Sequence, residues 1–246
     1  MRKALSLFAA LVLLAAGPAM AAETPSAPTE AVESIAAPPK DIPIIDPIAL
    51  YGADMAFDVL RKGKKVGDQT VSFSRGAVGD LHVKVQFHLE IAILFIKGAY
   101  TFDYSAAEIW RDNQMISMAA QVSDNGKVVK TAARLDNGVF KIEGSYGTTF
   151  ADHWVFPTNH WHRGQVQATT LLNTLTGKLV RVTIAPKGID TVATAQGSIA
   201  AEHFSYNGDL RDVDVWYDAA GRWVKMSFKA KDGSVIDYIC RKCGLP

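Results

Sequence analysis

Ten consecutive residues, Leu81 to Glu90, alternate without a fault: Leu81, Val83, Val85, Phe87 and Leu89 are apolar, and His82, Lys84, Gln86, His88 and Glu90 between them are polar. Side chains of an extended chain point to opposite faces in turn, so this run is a strand with one buried and one wet face. A chain organised around such a strand must build a sheet whose core lies on one side. Tyr100, Phe102 and Tyr104 repeat the alternation and lead towards Trp110. Between the two, Ile91 to Ile96 is uniformly apolar, which suits a buried strand end or an exposed apolar lip.

The punctuation between these runs fits antiparallel hairpins. Met55 to Arg61 and Val66 to Arg75 flank Lys62-Gly63-Lys64-Lys65. Asp124-Asn125-Gly126 and Asp136-Asn137-Gly138 join the strands that follow, and Asn-Gly tolerates the positive φ of tight hairpin turns. Further strands are expected at Leu179 to Ala185, Thr191 to Ala195 and Ser198 to Tyr206, with turns at Gly188, Gly197 and Asn207-Gly208. A last hairpin folded about Asp218-Ala219-Ala220-Gly221 would set Trp216 opposite Trp223, Asp214 opposite Lys225 and Asp212 opposite Ser227. Val213, Val215 and Tyr217 would then share a face with Val224, Met226 and Phe228. In this reading Asp212 and Asp214 with Lys225 and Lys229 form a solvated charge ladder, not catalytic carboxylates.

The N-terminus is of a different kind. Met1-Arg2-Lys3, the apolar run Ala4 to Ala16 and the small residues Ala19-Met20-Ala21 have the three parts of a secretory signal peptide, residues 1–21. The apolar run falls short of the ~20 residues a spanning helix needs, so no transmembrane segment is expected after cleavage. Seven of the ten prolines lie between Pro18 and Pro47, and residues 22–50 read as a Pro/Ala-rich flexible leader. Residues 51–246 then form a single β domain in a periplasmic or secreted protein. Loss of Arg2 and Lys3 changes the formal charge from +1 to −1, a balance that favours neither nucleic acid nor an anionic surface.

One stretch breaks the β pattern. Asp152 to His162 holds three of the six histidines and two of the five tryptophans, and no strand period survives from Ser145 to Thr170. Val166 to Asn173 has the makings of a short helix. Trp154, Phe156 and Trp161 offer too much apolar surface to leave in water, so the stretch is expected to fold back on the sheet as a lid. His160 and His162 share a face if extended, and His153 or Asp152 would complete a three-ligand zinc site with an open position for water. The competing reading gives these histidines ordinary hydrogen bonds. Cys240 and Cys243 form a CxxC with no helix left to follow it, which points to a structural disulfide, with free thiols next and a redox or metal role last. No Gly-x-Ser-x-Gly and no phosphate-binding glycine loop occurs, and no catalytic residue is assigned.

Trp216-Tyr217-Asp218, Gly221 with Trp223, Asp232-Gly233-Ser234 with Ile236 and Tyr238, Pro157-Thr158 to Trp161, and Leu171-Leu172-Asn173 with Thr176-Gly177 together carry a family pattern. In these residues the chain resembles an uncharacterised family of exported bacterial proteins, domain of unknown function six-one-three-four, from about Met55 to Tyr238. The resemblance implies export but no particular activity. The Cys240 and Cys243 tail departs from the pattern.

The expected fold is all-β: an antiparallel meander of about ten to twelve strands curled into a half-open or closed barrel, or a two-layer sandwich. A spanning outer-membrane barrel shares the period but pairs short turns with long loops systematically, and only one long loop is present here. The leading expectation is a non-enzymatic envelope protein with no cofactor, binding an apolar small molecule or lipid among Tyr100, Phe102, Tyr104, Trp154, Phe156 and Trp161. The alternatives are a structural domain that meets another envelope protein, and a zinc-assisted hydrolase using His153, His160 and His162.

Overall fold

The computed structural model describes residue 42 and residues 44–93, 96–152, 155–230 and 232–244. The expected signal peptide, nearly all of the leader, Leu94 and Phe95 of the apolar run, and His153 and Trp154 of the aromatic stretch lie outside the described residues.

The alternating strand runs from Leu81 to Ile93 as β3, after the hairpin of β1 (Asp54–Arg61) and β2 (Lys64–Arg75). β4 (Ile96–Arg111), β5 (Gln114–Asp124), β6 (Lys127–Asp136), β7 (Val139–Gly144) and β8 (Gly147–Asp152) extend the meander, each antiparallel to the last. Both Asn-Gly turns have positive φ at both central residues, Asn125 with Gly126 and Asn137 with Gly138. This is the mirror-image turn whose twist matches that of the strands it joins. Asp112 and Asn113, at φ 48° and 65°, make the same kind of turn without glycine between β4 and β5.

The second half is built on the opposite flank. The sheet order is β8 through β1, then β15 (Val235–Lys242), β14 (Trp223–Lys229), β13 (Val213–Asp218), β12 (Gly197–Gly208), β11 (Leu179–Thr194), β10 (Thr170–Leu172) and β9 (Phe156–Pro157). First and last strands therefore pair at the centre, and only β9 and β10 run parallel. β8 and β9 are neighbours in sequence but stand at opposite ends of this order. Four residues separate Asp152 from Phe156, a reach of at most ~14 Å, whereas fifteen strands laid flat would be about 65 Å wide. The sheet must curl until its ends meet. They meet at Gly144, where Ser145 N–H donates to the Thr176 carbonyl at 2.9 Å, but among the described residues no ladder joins β8 to β9, and the barrel is not closed.

The interior is filled from the inward rows of both flanks, with Phe57, Val71, Val85, Leu89, Ile142, Val215 and Trp223 among the most enclosed. Several boundaries differ from expectation. Fifteen strands replace ten to twelve, because short strands form in the irregular stretch. Where a helix was expected near Val166 to Asn173, a 3₁₀ turn at Arg163–Gln167 is followed by strand β10. The leader does not extend to residue 50: Asp46 caps the short helix α1 (Pro47–Tyr51), its side chain accepting from Ile48 N–H, and Tyr51 is buried. An Asp N-cap followed by proline at the first helical position is the local cause. β11 runs unbroken through Gly188, which sits in a bulge and makes no turn. The far end of the β11–β12 hairpin bends over the outside of the sheet, where Ala195 N–H donates to the Cys240 carbonyl at 2.9 Å. Beneath it Cys240 and Cys243 are joined in a buried disulfide.

The last hairpin does not keep its expected register, and beyond the bulge it does not keep its faces. Trp216 lies opposite Lys225 and Asp214 opposite Ser227, two residues from the symmetric pairing. Asp218 causes half of the shift, since its carboxylate accepts from the Ala220 and Arg222 amides and draws the turn in. A bulge between Trp216 and Tyr217 supplies the rest. A slip of two leaves Val213, Val215, Met226 and Phe228 on the face they share, but the bulge turns Trp223 inward, opposite Tyr217 and against Phe57. The charge ladder is accordingly replaced: Asp214 pairs with His203 at 2.9 Å, and Lys225 sits 4.4 Å above the Trp216 ring.

Candidate functional site

The period of β4 places one carboxyl in the core. Tyr104, Ala106, Glu108 and Trp110 share its inward row, and Glu108 is 1% exposed. Its Oε2 accepts from Trp110 Nε1 at 2.7 Å and from Trp161 Nε1 at 3.1 Å, while Oε1 accepts from Asn159 Nδ2. Burial pushes the Glu108 carboxyl above the usual range, and the three donors oppose that rise. Asn159 Oδ1 in turn accepts the Tyr104 hydroxyl at 2.8 Å. One buried network thus ties the irregular stretch to β4. Glu108 was legible only as the acidic residue in the apolar phase of that strand.

Around the network the rings pack edge to face. Trp161 stands 5.0 Å from Trp110 at 77°, and Phe156 lies 6.1 Å from Trp110. The backbone is held as well: the Tyr51 hydroxyl donates to the Trp161 carbonyl and accepts from Trp223 N–H, and the Tyr217 hydroxyl donates to the His160 carbonyl. Two phenols from opposite flanks therefore grip consecutive peptide groups. His160 takes the left-handed φ of 56° that this path requires.

The two described histidines of the stretch turn to different neighbours. His162 stacks on Trp110 at 5.6 Å, its Nδ1 accepts from Gly164 N–H at 3.0 Å, and its Nε2 donates to Asn113 Oδ1 at 2.7 Å. Both nitrogens are engaged, which leaves no lone pair for a metal. His160 packs between Tyr206 and Trp223, and its Nδ1 has no hydrogen-bond partner among the described residues. Burial lowers both imidazoles to a pKa of about 4, so both are neutral at pH 7. Among the described residues no three His, Cys, Asp or Glu side chains gather to hold a metal. His153 lies outside them.

A cavity of about 150 Å³ opens between the sheet and this stretch. Phe87, Phe102, Tyr104, Met226, Phe228 and Tyr238 line it from the strands. Thr158, Asn159 and His160 close it from the loop, with Thr174 and Leu175 beside them. The stretch folds back on the sheet and borders the cavity, and the expected lining residues fall in different places. Phe102 and Tyr104 face the cavity; Phe156 and Trp161 are spent on anchoring the loop, and Tyr100 is buried outside the lining. Trp154 lies outside the described residues. Gln69, Met226 and Tyr238, which sequence reasoning missed, join the wall: Gln69 lies opposite Phe87 in the β2–β3 ladder, and β14 and β15 are brought to this flank by the central β1–β15 pairing.

Among the described residues no helix is long and apolar enough to cross a membrane. Residues 57–241 match the family model described as "Domain of unknown function (DUF6134)". No curated protein is significantly similar to the chain. A solved structure, described as the crystal structure of a beta-barrel-like protein of domain of unknown function DUF1849 from Brucella abortus, is similar with a TM-score of 0.52. The two share 13% identity, and the match covers 77% of this chain and 95% of that one. This likeness shows a barrel-like fold.

Proposed function

This chain belongs to the family of domain of unknown function DUF6134, and on that footing we propose that it is an exported, non-enzymatic protein that binds an apolar small molecule or the end of a lipid chain inside its curled sheet. The observation that carries the reading is the cavity beneath Thr158, Asn159 and His160, with its wall of Phe87, Phe102, Met226 and Tyr238. An apolar cavity of about 150 Å³ holds a benzene-sized group. A complete two-chain lipid does not fit in that space, so only a ring or the terminal part of a chain enters. Proteins pack their interiors closely, and a void left among rings of this size is a site before it is a defect.

The expected signal peptide, residues 1–21, and the disulfide support export. Cys240 and Cys243 are bonded and buried, and disulfides persist in oxidising compartments. The signal peptide would bring the chain there, and the bond pins its last strand.

Native mass spectrometry of the protein recovered from the cell envelope tests the reading. Wild type carries a noncovalent mass released on denaturation, and Val213→Phe, which fills the cavity from β13, lowers its occupancy. Equal occupancy in both proteins, or no bound mass in either, removes the proposal.

A further inference from the structure

Three of the cavity's walls end in polar groups. Gln69 stands in the inward row of β2 between Gly67 and Val71 and is 7% exposed. Tyr238 is 5% exposed and His160 7%. All three line the cavity. His160 Nδ1 is fully enclosed and has no hydrogen-bond partner among the described residues, whereas the Gln69 amide and the Tyr238 hydroxyl border the accessible space of the cavity. Polar groups that border a cavity pair with whatever enters it, with water or with an occupant that carries a hydrogen-bonding group.

The strands bring them together. Phe87 lies directly opposite Gln69 in the β2–β3 ladder, and its ring stacks on Tyr238 at 5.8 Å. An amide and a phenol therefore edge the same aromatic floor. His160 faces them from the loop.

The charge of the occupant follows from what is missing. Among the described lining residues the one charged side chain is Lys229, at the exposed rim. An ion placed deeper would lose its hydration against Phe87 and Tyr238 with no countercharge, whereas a neutral hydroxyl loses less and regains its hydrogen bonds. Resting on the binding function above, we propose that the cavity takes a neutral, ring-sized molecule bearing a hydroxyl, a phenol or simple cyclic alcohol. Its apolar body packs on Phe87, Phe102 and Met226, and its hydroxyl bonds to Gln69 and Tyr238.

Isothermal titration of the purified protein, disulfide intact, with p-cresol, toluene and p-toluate tests this. p-Cresol binds at least tenfold more tightly than either of the others. Tyr238→Phe and Gln69→Leu each weaken p-cresol several-fold and leave toluene within twofold; Tyr238→Phe keeps the ring on Phe87, and its near-UV circular dichroism verifies that the fold is intact. Toluene binding as well as p-cresol overturns the polar assignment while leaving an apolar site. Tightest binding of p-toluate overturns it in favour of an anion held at Lys229. Binding of none of the three overturns both this inference and the binding function.

Discussion

Replacing Glu108 by leucine removes the acceptor for three buried donors at once: Trp110 Nε1, Trp161 Nε1 and Asn159 Nδ2. A buried donor left without a partner costs about 1–3 kcal/mol. Against this, the variant no longer desolvates a carboxyl, and leucine adds apolar surface to the core. With these gains set against the three losses, the net destabilisation is about 3 kcal/mol. In a domain of this size each kcal/mol lowers the melting temperature by roughly 2–4 °C, so Glu108→Leu melts about 6–12 °C below wild type. Glu108→Gln is the control. Its oxygen can take both indole donors, and the Asn159 amide can turn so that its oxygen accepts from glutamine and its nitrogen donates to the Tyr104 hydroxyl. Glutamine therefore costs far less than leucine. The pH dependence separates charge from shape. The folded-state pKa of Glu108 is raised by burial, so its contribution is fullest below the unfolded value of about 4.3 and is lost as the pH rises through the folded value. Glutamine does not titrate, and the stability difference moves in favour of Glu108→Gln between about pH 4 and neutrality. Urea unfolding followed by tryptophan fluorescence reads both effects. A Glu108→Leu protein within about 0.5 kcal/mol of wild type would refute the claim that the carboxyl holds the loop.

Two other outcomes test the rest of the fold. His160 and His162 are held at a pKa of about 4 by burial, below the unfolded value of about 6.5. Their contribution is complete above pH 6.5 and is lost as the pH falls towards 4, about 3 kcal/mol for each. A His162→Gln variant, compared with wild type by urea unfolding from pH 7 to pH 4, loses less stability over that range; identical slopes would contradict the burial of a neutral imidazole. At the seam, a Cβ on Gly144 would come 2.3 Å from the Thr176 carbonyl oxygen and 2.7 Å from Gly177 Cα. Gly144→Ala therefore parts the sheet ends and lowers stability by about 2 kcal/mol or more, with faster amide exchange at Ser145; an unchanged melting temperature would show that the seam is loose.

The strands and hairpins were legible because their information is local. Period two gave β3 and its inward row, and each Asn-Gly pair sits at the positive φ that only such residues take easily. Asp112-Asn113 makes the same turn without glycine and gave a weaker signal. The hand-set register of the last hairpin failed by two, since a bulge and the hydrogen bonds of the Asp218 carboxylate are side-chain events that alternation does not encode. The aromatic stretch was recognisable as the place where the pattern stops. Which of its rings anchor and which face a void was not, because that depends on Glu108, Tyr51 and Tyr217, which approach it from distant parts of the chain.

By itself the sequence determined that this protein is an antiparallel sheet with one buried face, a CxxC tail and a single irregular aromatic insertion. Those properties follow from side-chain alternation, turn dihedrals and the area of three large rings. Only the tertiary structure decided that the first and last strands pair at the centre, that the ends of the sheet meet at Gly144 without closing, and that Gln69, Tyr238 and His160 surround one cavity. These are contacts between residues far apart in sequence, and their geometry is set by the accumulated twist and curl of fifteen strands, which no local pattern records.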